Sequence, residues 1–257
     1  MSTGVNACFN GCSFTWGEGF PPDLREQYVY DRIVSKKFNF NRTNIAECGS
    51  SNYVIFMRTV QALKEKKYDI IFVQWSALNR LWLSPGPEVW YNVAINEKIT
   101  EYRYRDFYLG KQEKLKFEQT IALINHDYQN IFDLITYCDI LITLASINSS
   151  KIVFINGLVP WQNDILNDLG SDLSASLSNY TKNILDFDNR SDDEIILYFN
   201  KLKQKFSELD QSKWVNLFDS FFANRLDSAP EDNHPGIRSN SLMADKISNY
   251  LIKNQIL

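Results

Sequence analysis

A chain of 257 residues, 44% hydrophobic and 23% charged, has the balance of one folded domain and not of a disordered polypeptide. Its formal net charge of −4, with no run of Lys or Arg, counts against the basic face of a nucleic-acid binder. Residues 1–10 lack the basic and apolar regions of a signal peptide. No apolar stretch is expected to reach the roughly 18–20 residues that span a bilayer, since residues 131–147 are interrupted by Asp133 and Asp139.

In chain order, residues 5–9 form a short apolar segment that runs straight into Gly11-Cys12-Ser13, as a first strand runs into a tight turn. Residues 23–36 have helical character, and residues 44–47 are a candidate second strand ending at Cys48-Gly49. From Asn52, apolar positions recur at helical spacing up to a basic last turn at residues 64–67. Residues 68–75 are a continuous apolar run, the pattern of a central parallel strand buried on both faces. Residues 84–110 are irregular and rich in Trp, Tyr and Arg, which suggests a long loop or inserted lid around 84–115 within a single domain spanning 1–257. Phe117 to Ile142 carry one apolar stripe on a long helix, and residues 151–156 are another short strand. Residues 192–209 look helical, residues 214–218 are a candidate last strand, and residues 239–252 a closing helix. Strands alternating with helices predict an α/β fold, a central parallel sheet between two helical layers. Ligands then lie beyond the carboxyl ends of the strands.

Two segments at such ends carry chemistry. In the first, Gly11-Cys12-Ser13-Phe14-Thr15-Trp16-Gly17, a hydroxyl follows a strand on a glycine turn, next to backbone N–H groups that can face a developing oxyanion. A helix-capping serine fits the same residues. The second is Glu231-Asp232-Asn233-His234-Pro235-Gly236. Serine needs an imidazole to take its proton, and the imidazole needs a carboxylate to fix its tautomer. The chain has two histidines. His126 falls within the long apolar helix, whereas His234 sits in a polar turn with two acids beside it.

Together these segments resemble the SGNH (GDSL-like) hydrolase family. Residues 11–17 are similar to its first block, residues 232–236 to its last, and Asn44-Ile-Ala-Glu-Cys-Gly49-Ser-Ser-Asn52 to its second; the strand ending Val73-Gln74-Trp75-Ser76 occupies the place of the third. The resemblance spans nearly the whole chain and implies a flavodoxin-like three-layer α/β/α fold. It also implies Ser13 as nucleophile, His234 as base, Asp232 as orienting acid with Glu231 as the rival, and Gly49 as a backbone oxyanion donor.

Cys12 stands where the family has aspartate, which leaves Cys12 itself as a rival nucleophile. The third-block Asn is displaced to Asn79, so Asn52 or Ser76 is a candidate substitute donor. Arg80 is a candidate contact for an anionic or sugar substrate, more commonly paired with an acid. Trp75, Trp82, Trp90 and Tyr91 are candidates for stacking on a sugar or acyl chain, with packing the commoner role. No metal or organic cofactor is implied.

The four cysteines, Cys8, Cys12, Cys48 and Cys138, form no C-x-x-C pair and read as free thiols in a reducing, cytoplasmic compartment. The expected activity is hydrolysis of a small O-acyl ester, with a carbohydrate ester as the partner and neither nucleic acid nor membrane. The alternatives are O-acyl transfer at the same site, or a binding or assembly protein of this fold that lacks the chemistry.

Overall fold

The computed structural model describes residues 4–78, 80–86, 89–94, 127–158, 197, 200–201, 204–217 and 219–256. The elements are β1 (Asn6–Asn10), α1 (Ser13–Trp16), α2 (Pro22–Tyr28), α3 (Tyr30–Phe38), β2 (Asn41–Asn44), α4 (Asn52–Glu65), β3 (Ile70–Trp75), β4 (Arg80–Gly86), β5 (Val89–Ala94), α5 (Asp127–Ile147), β6 (Lys151–Asn156) and α6 (Ile237–Lys253).

Among the described residues, four strands form one parallel sheet in the order β2-β1-β3-β6. All six residues of β3 are buried. Successive strand residues face opposite sides, so both faces of the sheet are covered, and the fold is an α/β/α sandwich with a parallel centre. Phe9 of β1 lies level with Phe72 of β3, and the rings stack at 4.5 Å. α3 packs on α6, and α4 packs on α5. From β1 the chain steps out to β2 on one side, then returns past β1 to β3 and β6. That reversal makes the carboxyl ends of β1 and β3 the topological switch point, where ligands of such folds bind, and the Ser13 turn follows directly on β1.

Several elements differ from expectation. The helix expected over 23–36 is two helices, broken at Val29, whose backbone is extended (φ −74°, ψ 140°). No side chain of the segment caps α3; Tyr30 N–H donates instead to Asn240 Oδ1 on α6, 3.1 Å away. The second strand lies at Asn41–Asn44, earlier than 44–47. Its polar residues are held by tertiary partners: Arg42 pairs with the buried Asp31, and Asn44 Nδ2 donates to Asp31 Oδ2 and to Thr15 O, both at 2.9 Å. Burial pushes the Asp31 carboxyl up to about 7, against the hydrogen bond from Asn44.

No strand forms over 214–217. Trp214 makes a single parallel bridge to Phe154, and Asn216 side-chain bonds to the Asn156 backbone tie this segment to β6; Phe218 lies outside the described residues. The first part of the irregular region is a hairpin of β4 and β5 with a register shift between Leu83 and Gly86. Residues 95–115 lie outside the described residues, as do residues 117–126 of the apolar stripe and most of residues 192–203.

The expectation about bilayer-spanning length is also corrected. Within α5, Asn130–Ile147 is long and apolar enough to cross a membrane by length and composition, despite Asp133 and Asp139. Here one of its faces, Leu134, Ile135, Cys138, Leu141 and Ala145, is buried in the core.

Candidate active site

Gly11 turns the chain off the end of β1. A Cβ at this position would clash with Thr15 Oγ1 and lie 2.9 Å from Gln74, so the turn requires glycine. Ser13 is the first residue of α1, and its side chain is buried with the turn. Thr15 and Trp16 N–H groups both donate to Cys12 O at 3.1 Å, and Gly17, at φ +85°, closes the short helix.

The neighbouring amides are already engaged. Gly11 N–H donates to Asn10 Oδ1 (2.8 Å), and Cys12 N–H to Gln74 Oε1 (3.4 Å). The Ser13 N–H donates no hydrogen bond within the described residues. Ser13 Oγ donates to Cys12 Sγ over 3.9 Å. Cys12 is itself fully buried and bonded to Gln74, an inert setting for a thiol.

At the other end of the chain, residues 227–236 form a tight loop ahead of α6. Ser228 and Pro235 bridge antiparallel, and Ala229 N–H donates to His234 O (2.7 Å). Asp232 holds His234 twice: Oδ1 accepts the His234 backbone N–H at 2.8 Å, and Oδ2 lies 2.8 Å from Nδ1. An acceptor on Nδ1 makes that nitrogen the donor and leaves Nε2 free to accept a proton. The imidazole is 27% and the carboxylate 36% exposed, so solvent and small molecules reach the pair. Glu231, the rival acid, is exposed and contributes its backbone N–H to Gly19 O (3.1 Å).

The two segments meet. The ring of Phe14, next to Ser13, stands edge-on to His234 at 5.6 Å. A Cβ on Gly19 would clash with Asp232 Oδ1, so the glycine turn after α1 is moulded to the acid. Ser13 and His234 share no hydrogen bond among the described residues. Each is held by its own partner, and catalytic contacts of this kind tighten on substrate binding in many enzymes.

Gly49 follows β2 at φ +78°, exposed, with open space where a Cβ would stand. Its N–H, like that of Ser13, donates to nothing among the described residues. Beside it, Cys48 Sγ donates to Glu18 Oε2, joining this loop to the nucleophile turn; burial raises the thiol's pKa, and Glu18 raises it further.

Asn52 proves to be a strap and not a free donor. Its Nδ2 donates to Ser76 O (3.2 Å) and Ala77 O (3.5 Å), while its Oδ1 accepts Ser76 N–H (2.7 Å). Among the described residues, the buried Ser76 hydroxyl has no hydrogen-bond partner, and neither has that of Ser50. Trp75 is fully buried against Phe154, a packing role. Arg80 donates its N–H to Ala77 O (3.3 Å), and its buried Nη1 has no hydrogen-bond partner among the described residues. Asn79, His126 and the side chains of Trp82, Trp90 and Tyr91 lie outside the described residues. Among the described residues, no cluster of three His, Cys, Asp or Glu side chains is placed to hold a metal ion.

Two residues of the site escaped the sequence reading. Gln74 underlies the nucleophile turn, and its only signal was a polar residue inside an apolar strand. Asp227 caps α6, accepting from Arg238 N–H and Ser239 N–H at 2.9 Å each and from Ser239 Oγ at 2.6 Å. Partial burial opposes its charge, but those hydrogen bonds outweigh it and hold the carboxyl below its usual range. An acid ten residues ahead of a glycine-started helix gives no local capping signal.

No family model matches the sequence, and no curated protein does. Solved structures similar to this chain include a catalytic mutant of Axe2, an acetylxylan esterase from Geobacillus stearothermophilus, at 11% identity and a TM-score of 0.46, covering 98% of this chain and 95% of that one. A lipolytic G-D-S-L protein from Veillonella parvula aligns at 14% identity and a TM-score of 0.44, covering 95% and 96%. The esterase EstA from Pseudoalteromonas aligns at 9% and 0.45, covering 96% and 97%.

Proposed function

We propose that this chain is a serine hydrolase acting on small O-acyl esters. The observation that carries the reading is the pairing of Asp232 with His234 Nδ1 in a loop packed, through Phe14 and Gly19, on the turn that bears Ser13. In this reading Ser13 Oγ leaves Cys12 Sγ, gives its proton to His234 Nε2 and attacks the ester carbonyl. Asp232 stabilises the imidazolium and keeps its orientation. The unengaged N–H groups of Ser13 and Gly49 receive the oxyanion. Collapse expels the alcohol, which takes the proton back from His234. Water then enters, gives a proton to His234 and attacks the acyl carbonyl. The bond from the acyl carbon to Ser13 Oγ breaks, Ser13 takes the proton back from His234, and the acyl group leaves as a carboxylic acid. Each oxyanion donor contributes about 2.7–4 kcal/mol in comparable sites. The Ser76 hydroxyl is a candidate third donor. Acetyl esters on carbohydrates are the proposed substrate class, a reading drawn from fold analogy.

The hydrogen bond of Ser13 to Cys12, in place of one to His234, favours a second reading, a binding protein of this fold without turnover. Hydrolysis of an aryl acetate by wild type and by Ser13→Ala separates the two. Turnover that vanishes in the variant supports the hydrolase. No turnover in either folded protein supports the binding protein, and equal measurable rates would remove Ser13 from the reaction. Acyl transfer to an added sugar outrunning hydrolysis would mark a transferase working through the same acyl-enzyme.

A further inference from the structure

We propose that Gln74 is the positioning residue of the nucleophile turn, an inference that rests on Ser13 being the nucleophile. Gln74 sits in β3, one residue past the last paired position of β1 and β3, Asn10 with Val73. Its side chain is completely buried. It lies between two glycines: a Cβ at Gly11 would stand 2.9 Å from its Cβ and its Oε1, and a Cβ at Gly157 would clash with its Nε2. Both neighbours leave the space that this one amide fills.

The amide is fully used. Nε2 donates to Trp75 O (2.6 Å), which fixes the plane of the group on its own strand. Oε1 then faces the nucleophile turn and accepts from Thr15 Oγ1 (3.0 Å) and Cys12 N–H (3.4 Å). Cys12 Sγ lies 3.4 Å from both Oε1 and Nε2, and this sulfur accepts the Ser13 hydroxyl. The Thr15 hydroxyl proton goes to Gln74, so Tyr30 Oη donates to Thr15 Oγ1 at 2.6 Å, and burial raises the Tyr30 pKa and keeps it a donor.

One side chain therefore binds the residue before Ser13 through its backbone and its sulfur, and the residue two after through its hydroxyl. Ser13 is held from both sides without being touched by Gln74. Loss of the amide frees the turn, and a misplacement of about 1 Å at a reacting atom costs on the order of 100-fold in rate.

The experiment measures the rate of fluorophosphonate labelling and, separately, kcat and KM for an aryl acetate. It uses wild type, Ser13→Ala, Gln74→Met, which keeps length and volume, and Thr15→Val, which removes one strap outside the strand. The expected result is a fall of about 10- to 100-fold in labelling rate and kcat for folded Gln74→Met, with KM unchanged, and a smaller fall of the same kind for Thr15→Val. If Gln74→Met does not fold, Thr15→Val decides. A folded variant with wild-type labelling and kcat, or a change confined to KM, overturns the proposal. Absence of Ser13-dependent label in wild type removes the hydrolase reading, and this inference with it.

Discussion

The two segments that meet at the site are held in opposite ways. The nucleophile turn, residues 11–17, is buried except at Trp16, lined by glycine and strapped by long-range partners: Gln74 on β3, Tyr30 on α3 and Asn44 on β2. The base loop, residues 227–236, lies near the surface and is organised mainly from within, by Asp232 on His234 and by backbone bonds between residues 227–229 and 234–236. Its outside anchors among the described residues are Gly19 O, the Phe14 ring, Arg225, which donates to Asn233 O from just upstream, and the first turn of α6, where Asn240 Nδ2 donates to Pro235 O and Gly236 O and the Arg238 and Ser239 N–H groups donate to Asp227. The position of the nucleophile is thus a property of the whole sheet, whereas that of the base is a property of one surface loop and of the helix start that follows it. The base side is the more easily displaced.

That contrast can be broken at the acid. Asp232→Asn removes the charge behind the imidazole and frees the choice of tautomer, and a fall of about 10⁴-fold in kcat is expected. Glu231→Gln should stay within about twofold, since its side chain has no role in the loop. Steady-state kinetics on the two variants decides between the acids, and comparable losses in both would dissolve the assignment of Asp232.

A smaller effect is expected where the segments touch. Gly19 has φ +81° and no room for a Cβ against Asp232 and Ala229. Gly19→Ala should displace the acid and lower kcat by about 100-fold, with a reduced melting temperature, while Thr15, Cys12 and Gln74 keep the other side in place. A variant with unchanged kcat would show that the nucleophile turn and the base loop are not coupled through this contact.

The smallest effect concerns the cap. Asp227→Asn should cost about 1 kcal/mol of stability at neutral pH, a shift of roughly 2–4 °C in melting temperature for a chain of this size. The sign of its pH dependence follows from the depressed carboxyl: its stabilisation is present above the unfolded value near 4 and disappears as pH falls through the folded value. Melting curves of wild type and variant should converge in acid. A gap that persists or widens there would mean that the charge on Asp227 does not hold the start of α6.

Elements defined by their own residues were legible in the sequence. β3 reads as a continuous apolar run because both its faces are buried, and α4 has its own Ser51 cap, which accepts Val54 N–H at 3.4 Å. Elements defined by partners were not. β2 is written Asn-Arg-Thr-Asn and is stabilised by Asp31 and by the β1 ladder, while the start of α3 is satisfied by Asn240, 210 residues away. The site divides the same way. Ser13 and His234 stand out in the sequence by residue type and by their places at strand ends, while the preference for Asp232 over Glu231 comes from the family resemblance, since the commoner spacing points to Glu231. Gln74 lies 62 residues from Cys12, and its contacts exist only once β1 and β3 are paired. Asn52 illustrates the converse, since its type suits an oxyanion donor but its amide is committed to the turn at 76–77.

The most direct measurement is peptide mapping by mass spectrometry after fluorophosphonate treatment of wild type, Ser13→Ala and His234→Ala. The account predicts a single adduct on Ser13 in wild type, none in Ser13→Ala, and a rate of addition lowered by orders of magnitude in His234→Ala. Label on Cys12, or label at an undiminished rate without His234, would contradict it.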